Sequence, residues 1–380
     1  MRPETAIAQV RLENVSKQFG SVLAVDDVSV DIARGNLVTL LGPSGCGKTT
    51  TLRMIAGLEL PTSGRILIAG KDVTLLPPNE RDVSMVFQSY ALFPHMTVLE
   101  NVGYGLAASD LNLKAQIAKA REGLHLVGLD GYDDRLPSEL SGGQQQRVAC
   151  ARALVLEPQV LLFDEPLSNL DAKLRRRMRE DIRELQLSLG LTSVYVTHDQ
   201  EEALAVSDLI IVMNKGRVAQ VDTPLELYGR PRDSFVADFI GGANLIPCEI
   251  VGRISDKQIT VRLGTKIFIL TDRGYTGEES LLVLRPGSVT MAMKPGQEPS
   301  FAATIRKATY LGSHWEFTLD SEIGTIFATQ PADRRFAAGK TVFLHFKTDE
   351  LTIVAPADGS EISSSVATSK AATAAEAGSP

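Results

Sequence analysis

Short apolar runs alternate with helical patterns and glycine-rich turns from about Val10 to Gly241. Val38-Thr39-Leu40-Leu41, Val160-Leu161-Leu162-Phe163 and Leu209 to Met213 are apolar throughout, with the length of strands covered on both faces. Helical patterns follow the first of these at Thr50–Ala56 and precede the second at Gln145–Val155. This alternation predicts an α/β fold around a mostly parallel sheet. From about Ala243 to Ala355 the period falls to two, as in Gln258-Ile259-Thr260-Val261-Arg262-Leu263 and Thr341-Val342-Phe343-Leu344-His345-Phe346. Turn residues such as Leu263-Gly264 and Arg285-Pro286-Gly287 separate these runs, which predicts a small all-β barrel or sandwich. Residues 356–380 are mostly Ala, Ser and Thr. Such a segment buries too little apolar surface to offset ordering entropy, so it reads as a disordered tail. The sequence shows no internal repeat. The expected domains are 1–241, 242–355 and the tail.

Composition narrows the function. The chain has 380 residues, 44% hydrophobic and 22% charged, as in an ordinary globular protein with room for two domains. A formal charge of -7 argues against nucleic acid as a partner. No apolar run approaches the roughly 18 residues of a membrane span, and Met1 to Val10 lacks the apolar stretch of a secretory signal. The chain is therefore expected in the cytoplasm, reaching a membrane only through another protein. Cys46, Cys150 and Cys248 form no CxxC pair, so a disulfide or zinc framework is not expected.

The chemistry lies in two strand ends. After Val38–Leu41 comes Gly42-Pro43-Ser44-Gly45-Cys46-Gly47-Lys48-Thr49, then Thr50 and the helical pattern. This is G-x-x-x-x-G-K-[ST] with a strand before and a helix after, the context that motif requires. Its glycines let backbone N–H groups turn inward around phosphate oxygens, and the helix N-terminus adds partial positive charge. Lys48 is the candidate for the β- and γ-phosphates of ATP, and the Thr49 hydroxyl for Mg²⁺. The second strand ends in Asp164-Glu165 before Pro166. The carboxyl end of a parallel strand lies at the ligand crevice of such sheets. Asp164 would reach Mg²⁺ and Glu165 would polarise the attacking water. A solvated acid pair is the plainer reading of these two residues alone; the phosphate loop upstream reverses it.

A third motif is Leu140-Ser141-Gly142-Gly143-Gln144, a second hydroxyl-and-glycine anion site opening the helical run 145–155. LSGGQ, then Gln-Gln-Arg-Val, Ala-Arg-Ala-Leu and LLFDEP, resembles the ordered fingerprint of ATP-binding-cassette (ABC) ATPases. The resemblance implies a RecA-like core with a helical subdomain at about 89–157, followed by an OB-like domain of TOBE type. It implies that Gln88 contacts the metal and senses a membrane partner, that Asp171 in Ser168-Asn169-Leu170-Asp171 lies at a dimer seam, and that His198 meets the γ-phosphate. It implies adenine stacking for Phe19, in Lys17-Gln18-Phe19-Gly20, which taken alone reads as a core residue. It also implies a homodimer in which Ser141, Gly142, Gly143 and Gln144 of one copy close over the phosphate loop of the other.

Tyr90 to Met96, apolar and aromatic around Pro94, resembles the groove that receives a permease helix; the bland reading is helical-subdomain core. Lys173 to Arg179 is basic, but Arg176 with Glu180 and Arg177 with Asp181 stand at i, i+4, which predicts a solvated helix face. Phe239-Ile240-Gly241-Gly242-Ala243-Asn244, Leu284-Arg285-Pro286 and Tyr310-Leu311-Gly312 resemble the β domain of bacterial importer ATPases. With Leu76 to Arg81 and Phe87 to Pro94, the similarity is greatest to importers of polyamine, iron and aminoethylphosphonate. The expectation is therefore an importer ATPase peripheral to the cytoplasmic side of the inner membrane. Permease subunits would be its direct partners, and a solute-binding protein an indirect one. Polyamine leads as solute, with aminoethylphosphonate and ferric iron as alternatives. A soluble ABC protein of translation or repair would usually carry two cassettes or a coiled coil, and an exporter ATPase usually lacks the β domain.

Overall fold

The computed structural model describes residues 8–357, apart from 276, 278, 297 and 298; the tail expected at 356–380 lies outside these from residue 358 onward. Two compact units divide between Pro224 and Leu225. In chain order the first holds β1 (Ala8–Phe19), β2 (Val22–Ala33), β3 (Leu37–Leu41), α1 (Lys48–Ala56), β4 (Ser63–Ile68), β5 (Lys71–Asp72), β6 (Val83–Val86) and α2 (Val98–Gly103). It continues with α3 (Leu113–Leu126), α4 (Gly142–Leu154), β7 (Val160–Asp164), α5 (Ala172–Leu189), β8 (Thr192–Thr197), α6 (Gln200–Val206), β9 (Leu209–Asn214) and β10 (Arg217–Asp222).

The central sheet has the order β10-β9-β3-β8-β7-β6. β6, β7, β8, β3 and β9 run parallel, with β10 antiparallel at the edge. Successive side chains of a strand point to opposite faces, and both faces of this sheet are covered. On one face Val38, Leu40, Val160, Leu162, Val194 and Val196 pack with α1 and with the antiparallel sheet β2-β1-β4-β5. On the other, Leu161, Phe163 and Tyr195 join Val98, Val102, Leu124, Val148 and Ala151 of the helical segment. The near-continuous apolar runs are the sequence trace of this double burial. Every β3, β7 and β8 residue is buried, so the chain can change direction only at strand ends, where the loops meet solvent.

The second unit opens within α7 (Pro224–Gly229), whose first residue closes the first unit, and continues with α8 (Ser234–Phe239). Its strands are β11 (Asn244–Ser255), β12 (Gln258–Leu263), β13 (Lys266–Thr271), β14 (Ser280–Leu284), β15 (Val289–Ala292), β16 (Phe301–Tyr310), β17 (His314–Ser321), β18 (Gly324–Pro331), β19 (Thr341–Phe346) and β20 (Thr352–Val354). They form two five-stranded sheets, β13-β12-β11-β14-β20 and β15-β19-β16-β17-β18. Ile259, Val261, Leu282 and Leu284 of the first share one core with Phe301, Phe317, Leu319 and Leu344 of the second. The alternating pattern seen in sequence is this inward face.

The units divide at the first residue of α7, after Pro224, so that the rest of α7 and all of α8 fall in the second unit. Arg285 is the physical reason: its guanidinium donates to the carbonyls of Tyr228 (2.7 Å), Ala237 (2.6 Å) and Ile240. A buried cation there satisfies the orphan carbonyls at both helix ends. Ala237 also packs with Ala243, Leu281, Val283 and Val354, so both helices belong to the β unit.

Candidate functional site

Residues 42–47 run from β3 into α1. Gly47 has φ 102°, and a side chain there would stand 2.5 Å from the Ala24 carbonyl, so only glycine fits. Gly42 is held as closely, against the Met213 carbonyl and Cys46. Lys48 is buried, and its ammonium donates to the carbonyls of Gly42 (2.7 Å) and Pro43 (2.9 Å) at the head of the loop. Its third donor faces the Cys46 sulfur at 3.8 Å, a weak acceptor that a phosphate oxygen can displace. Ser44, Gly45 and Thr50 flank this cradle in the sequence order the motif requires. Cys46 is buried, and burial pushes its thiol up although Lys48 opposes this; it packs as a small hydrophobe.

The Thr49 hydroxyl lies near enough to Asp164, at the end of β7, to favour its charged form. Burial raises the Asp164 carboxyl above its ordinary range and Glu165 adds to this, while Arg53 and the Thr49 hydroxyl oppose it. A hydroxyl paired with a partly desolvated carboxylate is an oxygen donor set suited to Mg²⁺, which takes one or two carboxylates and leaves other positions to phosphate and water. The residues present therefore fit that metal.

Glu165 has φ 46°, a left-handed conformation uncommon outside glycine. Its N–H donates to the Val196 carbonyl (3.0 Å), which holds the strained turn against β8. The turn aims its carboxylate at His198, whose Nδ1 lies 3.0 Å from Oε2. From there the contacts run on. The Ser168 hydroxyl donates to the Glu165 carbonyl (3.0 Å), and Gln88 Nε2 donates to the Ser168 hydroxyl (3.2 Å). Asn169 Nδ2 donates to the Gln88 carbonyl (3.0 Å). Gln88, Glu165 and His198, far apart in sequence, thus form one hydrogen-bonded chain through residues 168–169. Sequence reading missed Ser168 and Asn169 as its links. Their position in the segment ending at Asp171 was the available signal.

Asp171 caps α5, accepting from the Lys173 (3.1 Å) and Leu174 (3.0 Å) N–H groups. Ser141 caps α4 in a reciprocal box with Gln144. Gly143 packs so closely on Leu174 that a side chain there would meet it at 2.9 Å. Gly142 begins α4. Among the described residues no hydrogen bond joins this segment to 42–49. Phe19 is 45% exposed with the Lys17 ammonium 4.7 Å from its ring centroid, so it is not a core residue.

Two further expectations resolve here. Tyr90 and Leu92 pack into the helical core, and Phe93 lies 4.4 Å from the Tyr104 ring. Tyr90 and Ala91 have φ 61° and 48°, and Arg152 holds them by donating to both carbonyls (2.8 and 2.7 Å). The segment is thus partly core and partly surface. On α5, Arg176 meets Glu180 at 3.6 Å as expected, but Asp181 pairs with Arg147 of α4 rather than with Arg177. Asp181 faces the neighbouring helix, and a cross-helix guanidinium outcompetes a solvated one.

Residues 25–168 match the model of a family described as ABC transporter, and residues 282–354 match the TOBE domain. The chain is 58% identical over 346 residues to a Fe(3+) ions import ATP-binding protein of Rhizobium etli, covering 91% of this chain and 97% of the relative. It is 60% identical over 318 residues to the protein of that name in Agrobacterium fabrum, covering 84% and 89%. A dimeric ATP-binding cassette solved in a post-hydrolysis state with ADP and Pi is 34% identical, with TM-score 0.51 over 57% of this chain and 98% of that one. A solved Clostridium perfringens protein, described as part of an ABC transporter complex, is 29% identical, with TM-score 0.55 over 59% of this chain and 91% of that one.

Proposed function

The chain belongs to the ABC transporter family as the ATP-hydrolysing subunit of an importer with a C-terminal TOBE domain, and from that premise we propose that it drives uptake of ferric iron. The iron reading rests on the relatives' printed function, and it displaces polyamine as the leading solute. Aminoethylphosphonate loses its support in the same way.

The observation that carries the mechanism is the hydrogen-bonded chain Gln88–Ser168–Glu165–His198, taken together with the Lys48 loop after β3 and Asp164 at the end of β7. The backbone N–H groups of residues 42–50 and the Lys48 ammonium receive the phosphates, and Phe19 offers its exposed face to adenine. Thr49, Asp164 and Gln88 are the groups that would hold Mg²⁺, which would supply positive charge against the phosphates. Glu165 orients and polarises the attacking water, and His198, held by Glu165, meets the γ-phosphate. The phosphorus–oxygen bond to the β-phosphate breaks as the bond to water forms, and the water's proton passes to solvent or phosphate. Ser141 to Gln144 act on the nucleotide of a second copy, with Asp171 at the seam between copies. Residues 90–96 receive the permease at the cytoplasmic face of the membrane, and a binding protein delivers the solute from the far side. No helix of the described residues is long and apolar enough to cross a membrane, in keeping with peripheral attachment.

Uptake tests the solute. In cells lacking this gene, radiolabelled ferric iron uptake should fall at least tenfold and return with the wild-type chain. Spermidine and aminoethylphosphonate uptake should not change. Undiminished iron uptake with lost spermidine uptake would reinstate polyamine.

A further inference from the structure

The mechanism leaves one buried ionic cluster unused. Glu202 of α6 is 3% exposed, and its Oε2 accepts from the Thr197 hydroxyl (2.8 Å) and the Tyr195 hydroxyl (3.2 Å). Thr197 Oγ1 in turn accepts from the Asp199 N–H (3.0 Å), and Asp199 Oδ1 accepts from the Glu202 N–H (3.2 Å). Both sequence neighbours of His198 are therefore tied to this carboxylate, directly or through one bond. Burial pushes Glu202 and Tyr195 upward, so Tyr195 stays a donor. A buried acid is costly without a partner.

Its cationic neighbour comes from another element. Arg175 of α5 places Nε 3.6 Å from Glu202 Oε1 and Nη1 3.5 Å from Asp199 Oδ2, while Nη2 donates to the Leu170 carbonyl (3.0 Å). Nε is buried and makes no hydrogen bond. One guanidinium thus spans the segment 168–171, which holds Gln88 and Glu165, and the turn 197–202, which carries His198. Its contact with the first is closed, and its contacts with the second stand just beyond hydrogen-bond length.

We propose that Arg175 is a positioning residue for hydrolysis: through Leu170 on one side and Glu202 and Asp199 on the other, it fixes the place of His198 relative to residues 165–171. A movement of residues 168–171 then reaches His198 through a rigid charged fork as well as through Glu165. Arg175 itself touches neither nucleotide nor water. Lysine keeps the charge but cannot span three partners.

This inference rests on the placement of His198 and Glu165 in the hydrolytic site, and His198→Ala in the same assay tests that placement separately. Purified full-length Arg175→Met should show kcat reduced at least tenfold with KM for ATP within threefold, measured below its melting temperature, which should fall because Glu202 loses its cationic neighbour. Arg175→Lys should recover part of the loss. Glu202→Gln, which keeps shape and hydrogen bonds, should lower kcat similarly, and the double variant should be no worse than Arg175→Met alone, because one link is broken twice. If Arg175→Met fails to fold, Glu202→Gln and Arg175→Lys carry the same comparison. Retained kcat in either charge-removing variant, or losses that multiply in the double variant, would overturn the proposal. Wild-type hydrolysis by His198→Ala would instead remove the site assignment beneath it.

Discussion

At residue 165 a non-glycine side chain sits at φ 46°, of the kind that costs about 1–3 kcal/mol and persists where surrounding bonds over-determine it. Here the Val196 carbonyl, the Ser168 hydroxyl and His198 do so. A residue held this firmly but reaching no loop donor serves the chemical step rather than nucleotide affinity. Glu165→Gln should therefore bind ATP within about threefold of wild type and hydrolyse it at least 100-fold more slowly, a barrier increase of about 2.7 kcal/mol. Size-exclusion chromatography should show it dimeric in Mg-ATP and monomeric without; a monomer under both conditions counts against the shared site. Lys48→Ala makes the contrast, losing affinity as well as turnover. The identity of these residues is legible in sequence because phosphate and metal chemistry admits few residue types. Their connection is not. Gln88, Ser168 and His198 meet only after three strands, β6, β7 and β8, have been ordered side by side, and no spacing rule encodes a bond across 80 residues. Arg175 looked like one more cation on a basic helix for the same reason.

At the scale of elements, strand identity was legible because a strand buried on both faces must be apolar throughout, as β3, β7 and β8 are. Helix faces were harder to assign. Charge spacing along α5 predicts local i, i+4 pairs, and tertiary partners override one of them at Asp181. The same override anchors β3. Asp208 accepts from the Leu37 N–H (2.8 Å) and takes both prongs of Arg183 (2.5 and 3.0 Å). Burial raises this carboxyl, but Arg183 and the Leu37 bond outweigh it, and its pKa is lowered. A lowered folded-state pKa means stabilisation that is present above the unfolded value, about 3.9, and lost as pH falls through the folded value. Asp208→Asn should thus cost about 1–2 kcal/mol at pH 7, and the difference from wild type should close below about pH 4. Helical circular dichroism during urea unfolding reads this, since the long helices lie in the first unit. The single tryptophan, Trp315, reports the second unit and should be unaffected. A penalty that persists undiminished into acid would assign the effect to packing, not charge.

At the scale of the molecule, every group placed on phosphate, metal, adenine or water lies before residue 200, and among the described residues the large buried clusters each draw on one unit. The change of hydrophobic period at about Ala243 falls inside the second unit, because α7 and α8 read as a continuation of the α/β pattern. What claims them is a single buried arginine from β-unit sequence more than 40 residues downstream. Two truncations separate these readings. A chain ending at Pro224 should fold and bind Mg-ATP, with hydrolysis within about tenfold of full length, a barrier change of about 1.4 kcal/mol. A chain ending at Gly241 keeps α7 and α8 but removes Arg285 and Leu281, leaving helix-end carbonyls unpaired and Val236, Ala237 and Ile240 uncovered. It should aggregate more readily and unfold at lower temperature than the shorter chain. Loss of transport in either case, with hydrolysis kept, would give the second unit a role in assembly or control. The decisive quantity is ATP affinity of the soluble, folded shorter chain. If that chain no longer binds ATP, the β unit contributes to the nucleotide site, and the division of labour drawn from the two separate cores is wrong.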